Sequence, residues 1–175
     1  MIAKKKPVAR RKAPVAATAQ PAGERRAAEA ELQTLIDRFA PEHLKLISAV
    51  RRSLRKRLPS ACEVVYEYRD FLVISISPNE HGYEGVLGIR GSADGVKLYL
   101  NRGKELPDPG KLLQGSGGVM RYIDVERAAT LKRPEVASLI EEAIARNTAP
   151  FASAGRGSVT VRPTTAKKKR AGRSG

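Results

Sequence analysis

The spacing of apolar residues changes at Pro59, from the period of a helix to the alternation of a strand. Before that proline, residues 27–39 and 42–58 carry apolar side chains every three or four positions, which predicts two helices. After it, apolar and polar residues alternate through 62–69 and 71–77, which predicts two strands. A chain with this change of period is expected to pack helices against a sheet.

Three more strands and a third helix are predicted further along the chain. The strands fall at 85–90, 96–101 and 119–125, and Asp94-Gly95 marks a hairpin between the first two of these. Pro134 opens the last helix. The order α-α-β-β-β-β-β-α, with short turns between strands, favours an α+β fold in which helices cover an antiparallel sheet of about five strands.

The net charge of +15 is carried mainly by the two ends of the chain. Residues 1–26 balance at +7 and residues 147–175 also at +7, whereas 27–146 balance at +1. Both ends are low in complexity and cannot bury enough apolar surface to offset the entropy of ordering. We therefore predict disordered basic tails at 1–26 and 148–175, on either side of one α+β domain at 27–147.

Clustered lysines and arginines on a flexible chain suit a polyanion, because each neutralised phosphate releases condensed counterions. DNA or RNA is therefore the predicted partner of the tails, held without base reading. A purely solubilising role is the alternative interpretation. The side chains proposed to contact nucleic acid are Lys4, Lys5, Lys6, Arg10, Arg11, Lys12, Lys167, Lys168, Lys169 and Arg170.

Several other function classes are disfavoured by the composition. The single cysteine, Cys62, excludes a disulfide framework and a thiolate metal cluster, and fits a reducing cytoplasm. No apolar run is long enough to span a membrane, so we expect a cytoplasmic protein without a membrane partner. His43 and His81 show no metal-ligand spacing, and no nucleophile with an adjacent base is visible. We therefore predict a non-enzymatic binding protein without a cofactor, and leave its oligomeric state open.

A glycine-rich loop, Gly115-Ser116-Gly117-Gly118, is a candidate anion site. Consecutive glycines let backbone N–H groups converge on an anion, and Arg121 just downstream can add a bidentate contact. Neither a Walker-type lysine-serine pair nor a dinucleotide fingerprint accompanies the loop. A simple turn leading into a strand is the alternative interpretation.

Tyrosines outnumber phenylalanines in the predicted domain. On a sheet face, such side chains can line a shallow pocket or stack a base, and half-buried packing is the alternative. Because two of them alternate onto the same face as Val64, we expect that face to belong to the core. The tyrosines are Tyr66, Tyr68, Tyr83, Tyr99 and Tyr122.

Motifs in the second half of the predicted domain carry a resemblance to a known family. The stretch from Gly103 to Pro109, the following Leu112-Leu113-Gln114 with its glycines, and Arg133-Pro134-Glu135-Val136 occur in an order similar to the YdhG-like domain, a bacterial family of unknown function. The resemblance covers about residues 30–147. It implies helices packed on an antiparallel sheet.

One branch of that family is described as a frataxin-like intracellular iron chaperone. Such a role implies surface carboxylates that bind a cation weakly. By this resemblance alone, iron is a possible ligand, and Glu63 and Glu67, which share a strand face, are the candidate metal ligands. An iron-binding protein, or a small-molecule or anion binder at the Gly115–Arg121 loop, is therefore the alternative to nucleic-acid association.

Overall fold

The computed structural model describes residues 19–82 and 84–163 of the chain. All eight predicted elements are present in this part, and one strand is added to them. The helices and strands are α1 (Ala22–Ile36), α2 (Pro41–Arg57), β1 (Cys62–Glu67), β2 (Phe71–Ser77), β3 (Leu87–Ser92), β4 (Gly95–Leu100), β5 (Arg121–Asp124), α3 (Pro134–Ala145) and β6 (Val159–Pro163).

The helices begin near the predicted positions and bury the predicted apolar faces. Pro41 and Pro134 occupy the first turn of α2 and α3, where the missing N–H of proline has no intrahelical partner to lose. Basic residues fill the last turn of α2, where they complement the helix dipole. The buried residues of the three helices join one core with the sheet, and α1 contributes Leu32, α2 Ile47 and α3 Ile140.

Within residues 19–82 and 84–163, the sheet has six strands in the order β5-β4-β3-β2-β1-β6 and is mixed rather than antiparallel. Neighbouring strands from β1 to β5 pair antiparallel, whereas β6 pairs parallel with β1, with Val161 opposite Val65. The prediction of about five antiparallel strands was therefore one strand short. β6 escaped detection because it has only five residues and lies in a basic, glycine- and serine-rich stretch that lacks a long apolar pattern.

Parts of both predicted tails belong to the fold. Residues 22–26 form the start of α1, and 159–163 form β6. The Gln20 side-chain amide accepts from the Val159 N–H at 3.0 Å and donates to the Val159 carbonyl at 2.9 Å, so it satisfies the outer edge of β6. The tail boundaries at 26 and 148 were therefore wrong for these segments. Residues 1–18 and 164–175 lie outside the described part of the chain.

All three helices cover the same face of the sheet. One row of register partners across that face, Val65, Ile74, Ile89, Leu98 and Ile123, is at most 6 % exposed. The side of β1 that faces the helices is therefore the Val65 side. The expectation that the Val64 side belongs to the core was wrong for its tyrosines, because Tyr66 and Tyr68 lie on the face that the helices leave uncovered.

Candidate binding face of the sheet

The sheet face opposite the helices carries aromatic, basic and small side chains. We call it the open face. Because residues two apart along a strand share a face, the strand register places its members in cross-strand rows. The open-face residues used below are Tyr66, Tyr68, Phe71, Val73, Ser75, Gly88, Arg90, Lys97, Tyr99, Tyr122, Asp124 and Arg162.

Two aromatic pairs stand at opposite corners of the open face. Tyr68 and Phe71, which flank the β1–β2 turn, stack with their ring centroids 4.3 Å apart. Tyr99 and Tyr122 are direct register partners on β4 and β5, and their centroids are 5.3 Å apart at a tilt of 40°. Tyr68 is 38 % exposed and the other three rings are half-buried, so all four present surface to solvent.

Two cations lie between these aromatic pairs. The Arg90 guanidinium lies over the Phe71 ring, 4.4 Å from its centroid, and Lys97 Nζ lies 4.1 Å from the Tyr122 centroid. Lys97 also pairs with Asp124 at 3.4 Å. In contrast, Arg90 has no carboxylate partner within the described part of the chain. Arg90 is therefore a half-buried charge with no counter-ion among these residues.

The ammonium of Lys97 stays charged at neutral pH. Partial desolvation acts to lower the pKa of Lys97, but the neighbouring Tyr122 hydroxyl and the Asp124 carboxylate raise it by more, so the net shift is upward. The open face consequently keeps two positive charges between its aromatic pairs. Aromatic rings with interleaved cations suit a ligand that is both flat and anionic.

A cavity of about 360 Å³ opens on this face beside Arg90. Its floor contains Ser75 and Gly88, which are register partners with small side chains between taller neighbours. The Ser75 hydroxyl is satisfied, because it donates to the Gly82 carbonyl at 3.1 Å. Val73 and Tyr99 form apolar walls. Among the described residues, the cavity therefore combines an apolar interior with one guanidinium that has no carboxylate partner.

A larger cavity of about 680 Å³ lies between α2 and the ends of β4 and β5. Its charged lining has four carboxylates against two cations, which makes it an unsuitable surface for a polyanion. These side chains are Glu42, Asp94, Asp124 and Glu126, with Lys45 and Arg127.

The two predicted metal ligands are separately engaged by arginines. Glu63 is only 2 % exposed, and Arg51 of α2 donates to both of its carboxylate oxygens at 2.9 and 2.7 Å. Glu67 pairs with Arg38 at 2.6 Å. In the described residues, no three or more histidine, cysteine, aspartate or glutamate side chains are grouped so that they could hold a metal. Arginines therefore hold both carboxylates, and iron binding at Glu63 and Glu67 stays a prediction from the resemblance alone.

The glycine-rich loop is closed by its own arginine. The Arg121 guanidinium donates to the carbonyl of Gly117 and, at 2.8 Å, to that of Met120. Gly115 has a φ of 106°, a conformation that favours glycine. Because Arg121 already binds carbonyls here, the geometry favours a turn over an anion site built with Arg121. Ser116, like the glycines around it, is exposed.

The ten lysines and arginines predicted to contact nucleic acid lie outside the described residues. However, the chain enters the described part beside β6, where Gln20 contacts Val159, and leaves it at Pro163, the end of the same strand. Arg162 projects from β6 onto the open face, held by the carbonyls of Glu80 at 2.8 Å and His81 at 3.2 Å. Both basic segments are thus joined to one edge of the open face.

The comparisons with known proteins found no matching family model, no matching curated protein and no matching solved structure. The YdhG-like resemblance therefore stays a prediction. No helix of the described chain is both long and apolar enough to cross a bilayer.

Sequence reasoning missed Arg90, Lys97 and Phe71 as parts of one surface. Their alternation with buried residues was visible in each strand, as with Lys97 between Val96 and Leu98. The sequence does not show the register between strands, and this register decides which alternating residues become neighbours.

Proposed function

We propose that this protein is a non-enzymatic binding protein that holds single-stranded nucleic acid on the open face of its sheet. The observation that supports this is the placement of two aromatic pairs around Arg90 and Lys97. Bases of a single strand stack on aromatic side chains, and cations between the rings neutralise phosphates. Membership of the YdhG-like family and a cytoplasmic location remain part of the same proposal.

The separation of the aromatic pairs fits a single-stranded nucleic acid that crosses the sheet diagonally. Phe71 on β2 and Tyr122 on β5 are three strands apart and offset by four residues along the strands. With ordinary strand spacing and rise, this places the pairs roughly 20 Å apart. Arg90 on β3 lies between them in strand order. A single-stranded nucleic acid that spans both aromatic pairs therefore passes the Arg90 guanidinium.

The basic segments at the two ends add affinity without adding base recognition. Residues 1–18 and 164–175 together contain 11 lysines and arginines and no acidic residue. Both segments connect to the β6 edge of the open face, so they can reach phosphates of a strand bound there. In this proposal the sheet supplies stacking, which depends weakly on salt, and the ends supply counterion release, which depends steeply on it.

Fluorescence anisotropy of a labelled single-stranded oligonucleotide tests the proposal on the full chain. Replacing Tyr99 by alanine is expected to weaken binding roughly 5- to 150-fold, because stacking contributes about 1–3 kcal/mol per base. A matched control is Ser138→Ala, at an exposed position on α3 on the opposite side of the sheet, and it should bind like the parent chain. Equal affinity of the Tyr99→Ala variant and the parent would contradict the proposal.

A further inference from the structure

The cavity beside Arg90 has the features of a site for one nucleotide. Its 360 Å³ lies at the small end of the range for ligand pockets, so it suits a single ring system and not an extended chain. The space exists because Ser75 and Gly88 meet in register. A side chain of ordinary size at either position would occupy it.

The walls of the cavity match a flat ring. Gly88 is a buried residue that contributes its backbone to the floor of the cavity, and Tyr99 and Val73 line the cavity beside it. A Cβ built at residue 88 would lie 3.7 Å from Tyr99 Cβ and 3.8 Å from Val73 Cγ1, which are ordinary van der Waals separations. A ring lying on Gly88 would therefore contact both walls and be desolvated on each side.

The polar groups at the cavity match a phosphate and a base edge. Arg90 lines the cavity and has no carboxylate partner in the described part of the chain, so its fork of donors is available to a phosphate. The Tyr99 hydroxyl has no hydrogen-bond partner among residues 19–82 and 84–163. Asn101 also lines the cavity, but its amide is already engaged, because it donates to the Gly85 carbonyl at 3.0 Å and accepts from the Arg102 N–H at 2.9 Å. The Tyr99 hydroxyl can pair with the edge of a base.

We infer that this cavity receives one nucleotide, with its base on Gly88 against Tyr99 and its phosphate at Arg90. The nucleotide is either a free mononucleotide or one unit of a bound strand. The second source rests on the proposed function, whereas the first does not. The inference rests on the position of the Arg90 guanidinium, which has no carboxylate partner in the described part of the chain, beside an apolar cavity.

The test measures binding of adenosine 5′-monophosphate and of a single-stranded oligonucleotide to the full chain. Gly88→Val fills the cavity, and Arg90→Gln removes the charge without adding bulk. Gly23→Val is the matched control, because it adds the same side chain at an exposed position of α1, where a Cβ meets open space. Thermal unfolding of each variant shows whether it is folded, and Arg90→Gln keeps the test decisive if Gly88→Val is not.

The expected result is saturable binding of the mononucleotide that both cavity variants weaken and the control does not. Loss of the stacked ring should cost Gly88→Val roughly 5- to 150-fold in affinity. Adenosine and inorganic phosphate should each bind more weakly than the mononucleotide. If the cavity variants lose oligonucleotide binding together with mononucleotide binding, the occupant is one unit of a bound nucleic-acid strand.

Two results separate this inference from the proposed function. If the oligonucleotide binds and neither cavity variant weakens it, while the mononucleotide does not bind, the inference is overturned and the proposed function stands. If the mononucleotide binds in the cavity and the oligonucleotide binds nowhere, the inference stands as a free-nucleotide site and the proposed function fails. Phosphate that binds as tightly as the mononucleotide would overturn the base pocket.

Discussion

Glu63 is the residue whose environment is least expected from its chemistry. It occupies the helix-facing side of β1, in the same row as Ile76, Leu87 and Leu100, yet it carries a charge. A buried carboxylate is tolerated only when it is paired and hydrogen-bonded. Arg51 and Arg55 from α2 satisfy it together, and Glu29 of α1 bridges the same two arginines. This cluster fixes the position of α1 and α2 over the sheet.

Removing Arg51 should therefore destabilise the fold strongly. Arg51→Met leaves Glu63 buried with only Arg55, and we expect a loss of about 3–5 kcal/mol in the free energy of unfolding. Arg52→Met, one residue further along α2 and exposed, should change it by less than about 0.5 kcal/mol. Urea unfolding of both variants measures the difference. Similar stabilities of the two would contradict the structural role given to the cluster.

The same cluster predicts how stability depends on pH. Burial acts to raise the pKa of Glu29, but hydrogen bonds from Arg51 and Arg55 lower it by more, so its pKa in the fold lies below the ordinary 4.5. A depressed carboxyl pKa contributes stability above the unfolded value, and this contribution is lost as pH falls through the folded value. Urea unfolding at descending pH should show a steeper loss below about pH 4.5 for the parent than for Glu29→Gln. Parallel pH profiles would be inconsistent with this assignment.

At the scale of elements, β6 depends on a close backbone approach. A Cβ at Gly157 would overlap the Ala61 carbonyl, so only glycine lets the chain enter β6 beside the start of β1. Arg25 of α1 also donates to the Gly157 carbonyl. Gly157→Ala should therefore separate β6 from β1 and expose β1 as a sheet edge. Hydrogen exchange of the Val65 and Thr160 amides should accelerate in this variant and remain unchanged in Gly118→Ala.

The sequence predicts well those elements that are determined by the residue pattern within the element itself. The apolar stripe of α2 and the Asp94-Gly95 signal both act within a few residues, and the structure confirms the helix and the hairpin that closes at Ser92 and Gly95. β6 is different, because its pairing with β1 joins residues far apart in the chain. The open face was also beyond prediction, since it depends on the register of five strands and not on the composition of any one.

At the scale of the whole molecule, charge and stacking should separate in a salt series. Replacing Lys4, Lys5, Lys6, Lys167, Lys168 and Lys169 by glutamine should reduce the magnitude of the salt slope for single-stranded DNA by up to about 4, at about 0.7 per phosphate contact. Tyr99→Ala should instead lower affinity at every salt concentration and leave the slope unchanged. Truncation at residues 27 and 146 is a poor substitute for this experiment, because it removes β6 and the first turn of α1.

The central claim is that the open face binds the nucleic acid, and amide chemical shifts test it most directly. The full chain, labelled with nitrogen-15, is titrated with a short single-stranded oligonucleotide. We expect the largest shift changes at Val73, Gly88, Arg90 and Tyr99, with the amides of α3 unaffected. Shift changes confined to the helices, or to residues outside 19–163, would contradict the claim.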